Sequence, residues 1–276
     1  MKWGAKIVGT GTEMAWINSG SYIEIDGFDI TTSGRLGFYS TASFGEIRNS
    51  YVHDILPTNV GTAGTGNGGA GIDTIGSNWV IHHNIISRVD VNNLAPNHMH
   101  GIYLASANNI AYNNIISNIS ARGIVTWHGA DANIIYNNTV SNCYDGILIG
   151  SGDSGQLTTG TQHNLVYNNI VTHSKNYGIR EYAEPSTFVS KNTFVNNLLY
   201  ANGTNQTPPA PGTTITGTII ADPLFANYLA NGSGDLHLKA GSPAIDKGTS
   251  TGAPSTDFDY TARPRGTGID IGSYEY

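Results

Sequence analysis

A short phrase centred on asparagine recurs along this chain and constrains its fold more than any other feature. Two apolar residues, a polar or aromatic step, Asn and two further strand formers occupy residues 80–86, 110–116, 134–140 and 165–171. A second phrase, Gly-Ile followed by alternating residues, begins at Gly71, Gly101, Gly123, Gly146 and Gly178. These glycines are 22 to 32 residues apart, which indicates a repeat of about 22 residues with loops inserted in the longer intervals.

Each repeat is long enough for a rung of three short β-strands, and such strands bury nothing until rungs stack on one another. Stacking places Ile on Ile and builds one continuous core. Charged residues make up only 12% of the chain, which argues against exposed helices, and its 35 glycines favour turns. We therefore predict an all-β solenoid, a right-handed parallel β-helix of about seven to eight rungs.

Asparagine and tyrosine recur where the strands of a rung have to bend. Asn tolerates left-handed backbone geometry, and its amide can hydrogen-bond to the Asn one rung above. One inward asparagine ladder is predicted for Asn84, Asn114, Asn138, Asn169 and Asn192. An aromatic stack at the same corner is predicted for Tyr112, Tyr136 and Tyr167.

The C-terminal segment differs in composition from the repeats. A proline-rich stretch at 207–212 marks a loop, and the asparagine phrase does not recur beyond residue 221. We predict β-helix rungs in residues 1–221. Residues 222–276 are predicted to form capping loops and strands of the same domain, because the open end of a solenoid has to be covered.

Charge, cysteine content and hydropathy bear on partners and location. The net charge of −7 disfavours a nucleic-acid partner, because phosphate binding needs a basic surface. Cys143 is the one cysteine, so no intrachain disulfide can form. No stretch approaches the roughly 18 apolar residues of a membrane span. The N-terminus has no apolar signal-peptide run and reads as though the chain begins inside a repeat.

The Asn-Asn-Ile and Gly-Ile phrases resemble the right-handed parallel β-helix superfamily of polysaccharide lyases, pectinases and related carbohydrate-active proteins. The tail adds to the resemblance: segments 221–225, 235–248, 263–266 and 270–276 are similar to the C-terminal part of many secreted bacterial β-helix proteins. The resemblance covers about residues 20–276. It implies an extracellular or periplasmic protein whose partner is a polysaccharide.

Strand alternation selects the residues that face solvent. In each Gly-Ile phrase the Ile points into the core and the next residue points outward. This predicts one outward row that consists of Asp73, Tyr103, Val125, Leu148 and Arg180. The next outward positions include Trp127 and Tyr182.

Long loops flank this outward face and add histidines to it. They are predicted at 54–69, 90–100 and 151–163. The second loop carries His98 and His100 just before the Tyr103 strand, and His128 follows Trp127 one rung further on. A cluster of histidine, tyrosine and tryptophan at one edge indicates a candidate site.

β-Elimination of a uronic-acid polysaccharide is the first chemistry to consider. It needs a cation at the substrate carboxylate, a base that takes the neighbouring proton and an acid at the leaving oxygen. The candidate catalytic residues are His100 and His128 as bases, Tyr103 as the acid and Arg180 as the cation. The candidate substrate-binding residues are Asp73, His98, Trp127, Lys175 and Tyr182.

Metal sites are a further expectation. Many β-helix lyases use calcium, so the resemblance implies calcium as a candidate cofactor, with oxygen ligands from Asp73, Asp90 or Glu181. These acids form no compact cluster in the sequence. Together with His128, His98 and His100 could instead hold a transition metal, since residues two apart in an extended segment point the same way.

Two other functions remain open. A glycoside hydrolase wants two carboxylates about 5–10 Å apart, and Asp73 and Glu181 are expected to lie several rungs apart. A non-catalytic carbohydrate-binding or adhesive stalk would use the same aromatic edge without any chemistry. The predicted function is therefore a polysaccharide lyase, with hydrolase and binding protein as alternatives.

Overall fold

Short parallel strands wind into stacked rungs with three faces. The computed structural model describes residues 3–11, 13–58, 68–95, 97–152, 160–184 and 188–276; the predicted loops at 54–69 and 151–163 lie partly outside these ranges. Strands of successive rungs pair in parallel register on every face. The predicted all-β parallel β-helix is confirmed. No described helix is long and apolar enough to cross a membrane.

The strands of each face follow one another rung by rung. The first face contains β1 (Ala5–Gly9), β4 (Phe28–Thr32), β7 (Tyr51–Ile55), β10 (Ile85–Val89), β18 (Ile170–Thr172), β22 (Leu198–Tyr200) and β25 (Ile219–Ile220). The second face contains β2 (Met14–Asn18), β5 (Leu36–Ser40), β8 (Gly69–Thr74), β11 (Met99–Leu104), β19 (Tyr177–Ala183) and β23 (Thr204–Gln206). Two long strands, β13 (Ile115–Thr126) and β15 (Thr139–Ser151), continue around the corner and belong to both faces.

The third face closes the prism. It contains β3 (Ile23–Asp26), β6 (Gly45–Arg48), β9 (Trp79–His82), β12 (Ile110–Tyr112), β14 (Ile134–Tyr136), β17 (Leu165–Tyr167), β21 (Thr193–Val195) and β24 (Thr214–Thr216). The described residues thus form eight rungs and the start of a ninth. Two small pairs stand outside the faces: β16 (Thr161–Gln162) with β20 (Val189–Ser190), and antiparallel β26 (Phe225–Asn227) with β27 (Asp235–Leu238).

Each rung turns three corners, and a residue with positive φ stands at most of them. The first corner, between the first and second faces, has Asp54, Arg88, Asn118, Asn142, His173 and Ala201. The second corner has Tyr22, Phe44, Asn78, Asn108, Ala132, His163 and Lys191. The third corner has Asn49, His83, Asn113, Asn137, Asn168 and Asn196. Asparagine is frequent here because its short polar side chain lowers the cost of left-handed geometry.

Two asparagine ladders run through the interior, where the sequence predicted one. At the third corner Asn84, Asn114, Asn138, Asn169 and Asn197 are linked by hydrogen bonds of 3.0–3.1 Å, each Oδ1 accepting from the preceding Asn. The prediction is wrong for Asn192. That residue belongs to a second ladder, at the second corner, with Asn109, Asn133 and Asn164. Both corners place a positive-φ residue before an inward Asn, so they look alike in sequence.

The predicted tyrosine stack is confirmed on the third face. The ring centroids of Tyr112, Tyr136 and Tyr167 are 5.0 Å apart in succession, with 8° between planes. His82 extends the stack, 4.6 Å from Tyr112. Burial raises the pKa of Tyr112 and of Tyr167 to about 12, so these phenols stay protonated and serve the scaffold.

The glycine of each Gly-Ile phrase has a steric cause. A Cβ built on Gly71, Gly101, Gly123 or Gly146 would lie 2.1–2.9 Å from a branched methyl group of the next rung's first-face strand. On Gly123 that methyl group belongs to Val140, at 2.4 Å. Glycine therefore lets the first and second faces meet closely enough to close the core.

Replacing Gly123 with alanine is expected to destabilise the fold by about 1–3 kcal/mol, because the added methyl group overpacks the core against Val140. Urea unfolding measures the change as a lower transition midpoint. Gly11→Ala is the matched control, since a Cβ there has no atom within 4 Å. Equal midpoints for the two variants would contradict the steric explanation.

The C-terminal segment lies along the flank of the solenoid. His83 Nε2 is 2.8 Å from the Asp257 carbonyl oxygen, and the Asn113 and Asn196 amides donate to the carbonyls of Thr256 and Lys247. The β26–β27 hairpin packs its apolar residues on Ile115, Ile170 and Leu198 of the first face. These contacts run along the third corner and beside it rather than across the last rung, so the predicted cap is not confirmed.

Candidate functional site

The outward row of the second face has the register that strand alternation predicted. Paired positions on successive rungs are Tyr39, Asp73, Tyr103, Val125, Leu148 and Arg180. Val125 and Leu148 are each 1% exposed and lie outside the hydrophobic core cluster. This covered apolar pair divides the face into a groove on the N-terminal side and a charged cluster on the C-terminal side.

The groove is a cavity of about 800 Å³ over the first five rungs. It brings together most of the residues that the sequence singled out, namely Asp73, His98, His100, Tyr103, Trp127 and His128. Arg35 and Tyr39 also line it. The side chains thus include one carboxylate, two phenols, three imidazoles, an indole and a guanidinium.

Asp73 is the unusual group in this groove. Its Oδ1 is buried and has no hydrogen-bond partner among the described residues. Asp73 lies between Tyr39 and Tyr103 in the outward row, one strand spacing of about 4.8 Å from each. Burial raises the pKa of Asp73 to about 7, against the opposing charge of Arg35. A carboxyl group poised near neutrality can take or give a proton at physiological pH.

His100 lies beside Tyr103 and is nearly buried. It is 9% exposed, its Nδ1 has no hydrogen-bond partner within the part of the chain that the structure describes, and its ring stacks on Tyr103 at 5.3 Å. Burial lowers the pKa of His100 well below its usual value, and the charges of Arg122 and His98 add to the effect. The imidazole is therefore neutral, a hydrogen-bonding group with little capacity to hold a proton.

The other two histidines stand at the rim. The His128 ring meets Tyr103 edge-on at 6.0 Å, and its residue is exposed. His98 is exposed in the turn before β11 rather than extended alongside His100, so the two do not form the pair expected of a metal site. Among the described residues no three His, Cys, Asp or Glu side chains form a group that could hold a metal.

Arg180 lies outside the groove, three rungs from Tyr103 and roughly 14 Å along the axis. Its Nη1 is 3.6 Å from the buried Asp145 carboxylate, which Arg122 also approaches at 3.5 Å. The guanidinium stands over the Tyr182 ring at 4.4 Å, and Tyr182 stacks on Trp127 at 6.3 Å. Arg180 and Tyr182 therefore belong to the C-terminal cluster, and Tyr182 contacts the groove-lining Trp127.

Lys175 belongs to a different surface. It lines a cavity of about 430 Å³ at the first corner, beside Asp90 and Tyr144, with its Nζ 6.0 Å from the Tyr144 ring centroid. The structure does not bring Lys175 together with Tyr103 or the histidines.

The candidate calcium ligands do not fit a shared ion. Both Asp90 oxygens accept backbone N–H groups of their own loop, from Leu94 and Ala95. Glu181 Oε1 accepts from Asn192 and Thr213, and its Oε2 accepts from the Ala210 N–H. Asp73 lies on a separate rung from both. Two of the three carboxylates are thus hydrogen-bonded within the scaffold, and the three do not meet at one point among the described residues.

Sequence reasoning missed two groove residues, Arg35 and Tyr39. The Arg35 guanidinium is bound to Glu13 at 2.7–2.8 Å and to the Gly68 carbonyl at 2.7 Å. Burial and the nearby Asp73 raise the pKa of Tyr39. The signal was present in the Gly37-Phe38-Tyr39 sequence, a Gly-Ile phrase in which Phe replaces Ile.

Comparisons with known proteins agree with this architecture. The family model described as a right handed beta helix region matches residues 14–220, and no curated protein matches the sequence. The fold is similar to that of pectate lyase Pel9A, with a TM-score of 0.60 and 14% identity over 97% of this chain and 76% of that one. It is also similar to the A-module of the mannuronan C-5 epimerase AlgE4 of Azotobacter vinelandii, with a TM-score of 0.47 and 14% identity over 75% of this chain and 70% of that one.

Proposed function

The chain belongs to the right-handed β-helix family, and from this premise we propose that it is a polysaccharide lyase that cleaves a uronic-acid polymer by β-elimination. The observation that carries the proposal is the half-buried Asp73 carboxyl group in an open groove: its Oδ1 is buried without a hydrogen-bond partner among the described residues, and its pKa is raised to about 7. The likeness of the fold to a pectate lyase supports a polysaccharide as the ligand.

The proposed reaction moves one proton from carbon to oxygen. Ionised Asp73 takes the C5 proton of the uronate, and the electron pair passes through the enolate of the C6 carboxylate, which Arg35 stabilises. The C4–O4 bond then breaks, a C4=C5 double bond forms, and Tyr103 gives its phenolic proton to the leaving oxygen. The proton held by Asp73 returns to the Tyr103 oxygen, directly or through water, and both residues are restored.

These roles differ from those expected from the sequence, because the base is Asp73 rather than His100 or His128 and the cation is Arg35 rather than Arg180. A general base works best when its pKa lies near the operating pH, and Asp73 meets this condition whereas His100 does not. His100 then acts as a neutral hydrogen-bonding group beside Tyr103. Arg35, inside the groove, replaces Arg180 as the cation at the scissile sugar. His98, Trp127 and His128 bind the polysaccharide at the rim of the groove.

The alternatives make different demands on the same groove. Glycoside hydrolysis commonly needs two carboxylates about 5–10 Å apart, and Asp73 is the one carboxylate among the described residues that line the cavity. A non-catalytic binding protein would stack sugar rings on the same aromatic edge and transfer no proton. An extracellular or periplasmic location is part of the proposal, because a long polysaccharide is met outside the cytoplasm.

The test is a panel of uronate polymers, including polygalacturonate and alginate, incubated with the protein in calcium and in chelator. We expect ultraviolet absorbance from a 4,5-unsaturated product on at least one of them. Reducing ends without that absorbance would identify a hydrolase instead. Binding without either product would identify a binding protein, and a product that disappears in chelator would identify calcium as a cofactor.

A further inference from the structure

Two exposed aromatic residues at the second corner depart from the pattern of the other rungs. Tyr22 and Phe44 have φ angles of 60° and 62°. Their rings stack at 5.0 Å with 9° between planes, yet Tyr22 is 81% exposed and Phe44 45%. The next two rungs place Asn78 and Asn108 at this corner.

The choice of aromatic residues here works against folding. Left-handed geometry is disfavoured for bulky side chains and tolerated by asparagine. Tyr22 is 81% exposed, so burial in the core does not offset its strain. Backbone strain that burial does not offset is typical of functional positions.

The pair lies beside the groove. The Tyr22 N–H donates to the Phe44 carbonyl, and the Phe44 N–H donates to the Ser77 carbonyl at 3.0 Å. Ser77 is two residues beyond Ile75, a groove-lining residue that is 46% exposed. Phe44 is therefore hydrogen-bonded to the turn that follows Ile75, and Tyr22 lies one rung further toward the N-terminus at the same corner.

We propose that Tyr22 and Phe44 form a platform on which a sugar ring of the polysaccharide stacks outside the groove. The inference rests on the proposed function in naming a polysaccharide as the ligand. The Tyr22 ring face that Phe44 leaves open offers flat apolar surface, which suits the C–H face of a pyranose. Contact of this kind uses no charge, so its contribution to affinity is insensitive to salt.

The test replaces each aromatic with the residue that the fold uses on neighbouring rungs. For Tyr22→Asn and Phe44→Asn we expect binding of the polymer to weaken roughly three- to tenfold, while the melting temperature rises by about 1–3 °C as strain is relieved. Affinity electrophoresis with uronate and neutral polymers and thermal unfolding measure the two effects. Opposite signs for binding and stability are the signature of a platform.

Tyr260→Asn is the matched control, because Tyr260 also has a positive φ and is 53% exposed but lies on the third corner, away from the groove. It should leave polymer affinity unchanged. If Tyr22→Asn lowers the melting temperature and leaves affinity intact, the pair is structural and the proposal is overturned. Binding without cleavage would refute the lyase and leave the platform standing, and absence of binding to every polymer would refute both.

Discussion

Replacing Asp73 with asparagine is expected to lower kcat/KM on a uronate polymer by about 10²–10⁴-fold, the usual contribution of a general base, and at the same time to stabilise the fold at pH 8. Both effects have one cause, the half-buried carboxylate whose Oδ1 is buried and lacks a hydrogen-bond partner among the described residues. Asparagine keeps the shape of the side chain, cannot take a proton and carries no charge to desolvate. Steady-state kinetics and urea unfolding on one preparation measure the two effects.

The pH dependence of stability follows from the direction of the pKa shift. The pKa of Asp73 rises from 3.8 to about 7 on folding, so the folded state retains a proton that the unfolded state releases. The associated stability is fully present below about pH 4 and is lost as pH rises to about 7, to an upper limit of about 4 kcal/mol. Wild type and Asp73→Asn should therefore differ most above pH 7 and least near pH 4.

The pH dependence of activity has the opposite sense. With ionised Asp73 as the base, kcat/KM of the wild type should rise about tenfold per pH unit below pH 7 and level off above it. Asp26→Asn is the control, because Asp26 lies on the third face, where hydrogen bonds to Asn49 and Arg48 oppose the desolvation that burial imposes and lower its pKa. That variant should keep its activity and gain no stability at pH 8. A fully active Asp73→Asn enzyme would rule out the proposed base.

Replacing Asn138 with alanine is expected to destabilise the fold by about 4 kcal/mol. Asn138 is fully buried in the centre of the third-corner ladder. Its Nδ2 donates to the carbonyls of Ala111 and Tyr136 and to Asn169, and its Oδ1 accepts from the backbone and side chain of Asn114. Truncation leaves several of these groups buried without partners, at about 1–3 kcal/mol each.

The midpoint of urea unfolding reports this loss, and Asn92→Ala provides the control because Asn92 is exposed in the 90–98 loop. Asn138→Leu is a useful second variant, since it fills the space but restores none of the hydrogen bonds. If both Asn138 variants unfold with the wild-type midpoint, the ladder is not a source of stability.

Local patterns predicted most of the fold and part of the groove. The Gly-Ile phrase predicts the outward register of Asp73 and Tyr103 because strand alternation has a period of two and the strands that carry these residues pair without a register shift. Tyr39 was not predicted as an outward residue because Phe38 occupies the Ile position of the Gly-Ile phrase. Asn192 was placed in the wrong ladder because two corners share one local sequence pattern.

Convergence in space was harder to predict than orientation. Arg180 faces the same side as Tyr103, yet each intervening rung adds about 4.8 Å, and three rungs separate the two. Arg35 was missed because its position near Asp73 depends on contacts between rungs, such as its ion pair with Glu13. The pKa values of Asp73 and His100 depend on burial that only the assembled groove provides.

The flanking C-terminal segment has a consequence for the order of events during synthesis. A repeat protein can build its rungs one after another as the chain emerges, since each rung needs only its neighbours. Asp257 contacts His83 across 174 residues, and Tyr260 hydrogen-bonds to Asn49 across 211. The third corner of the early rungs is therefore covered only after the last part of the chain has been synthesised. Until then, the nascent solenoid exposes the apolar first-face surface on which Phe225, Leu236 and Leu238 later pack. A chain truncated before residue 225 is therefore expected to aggregate.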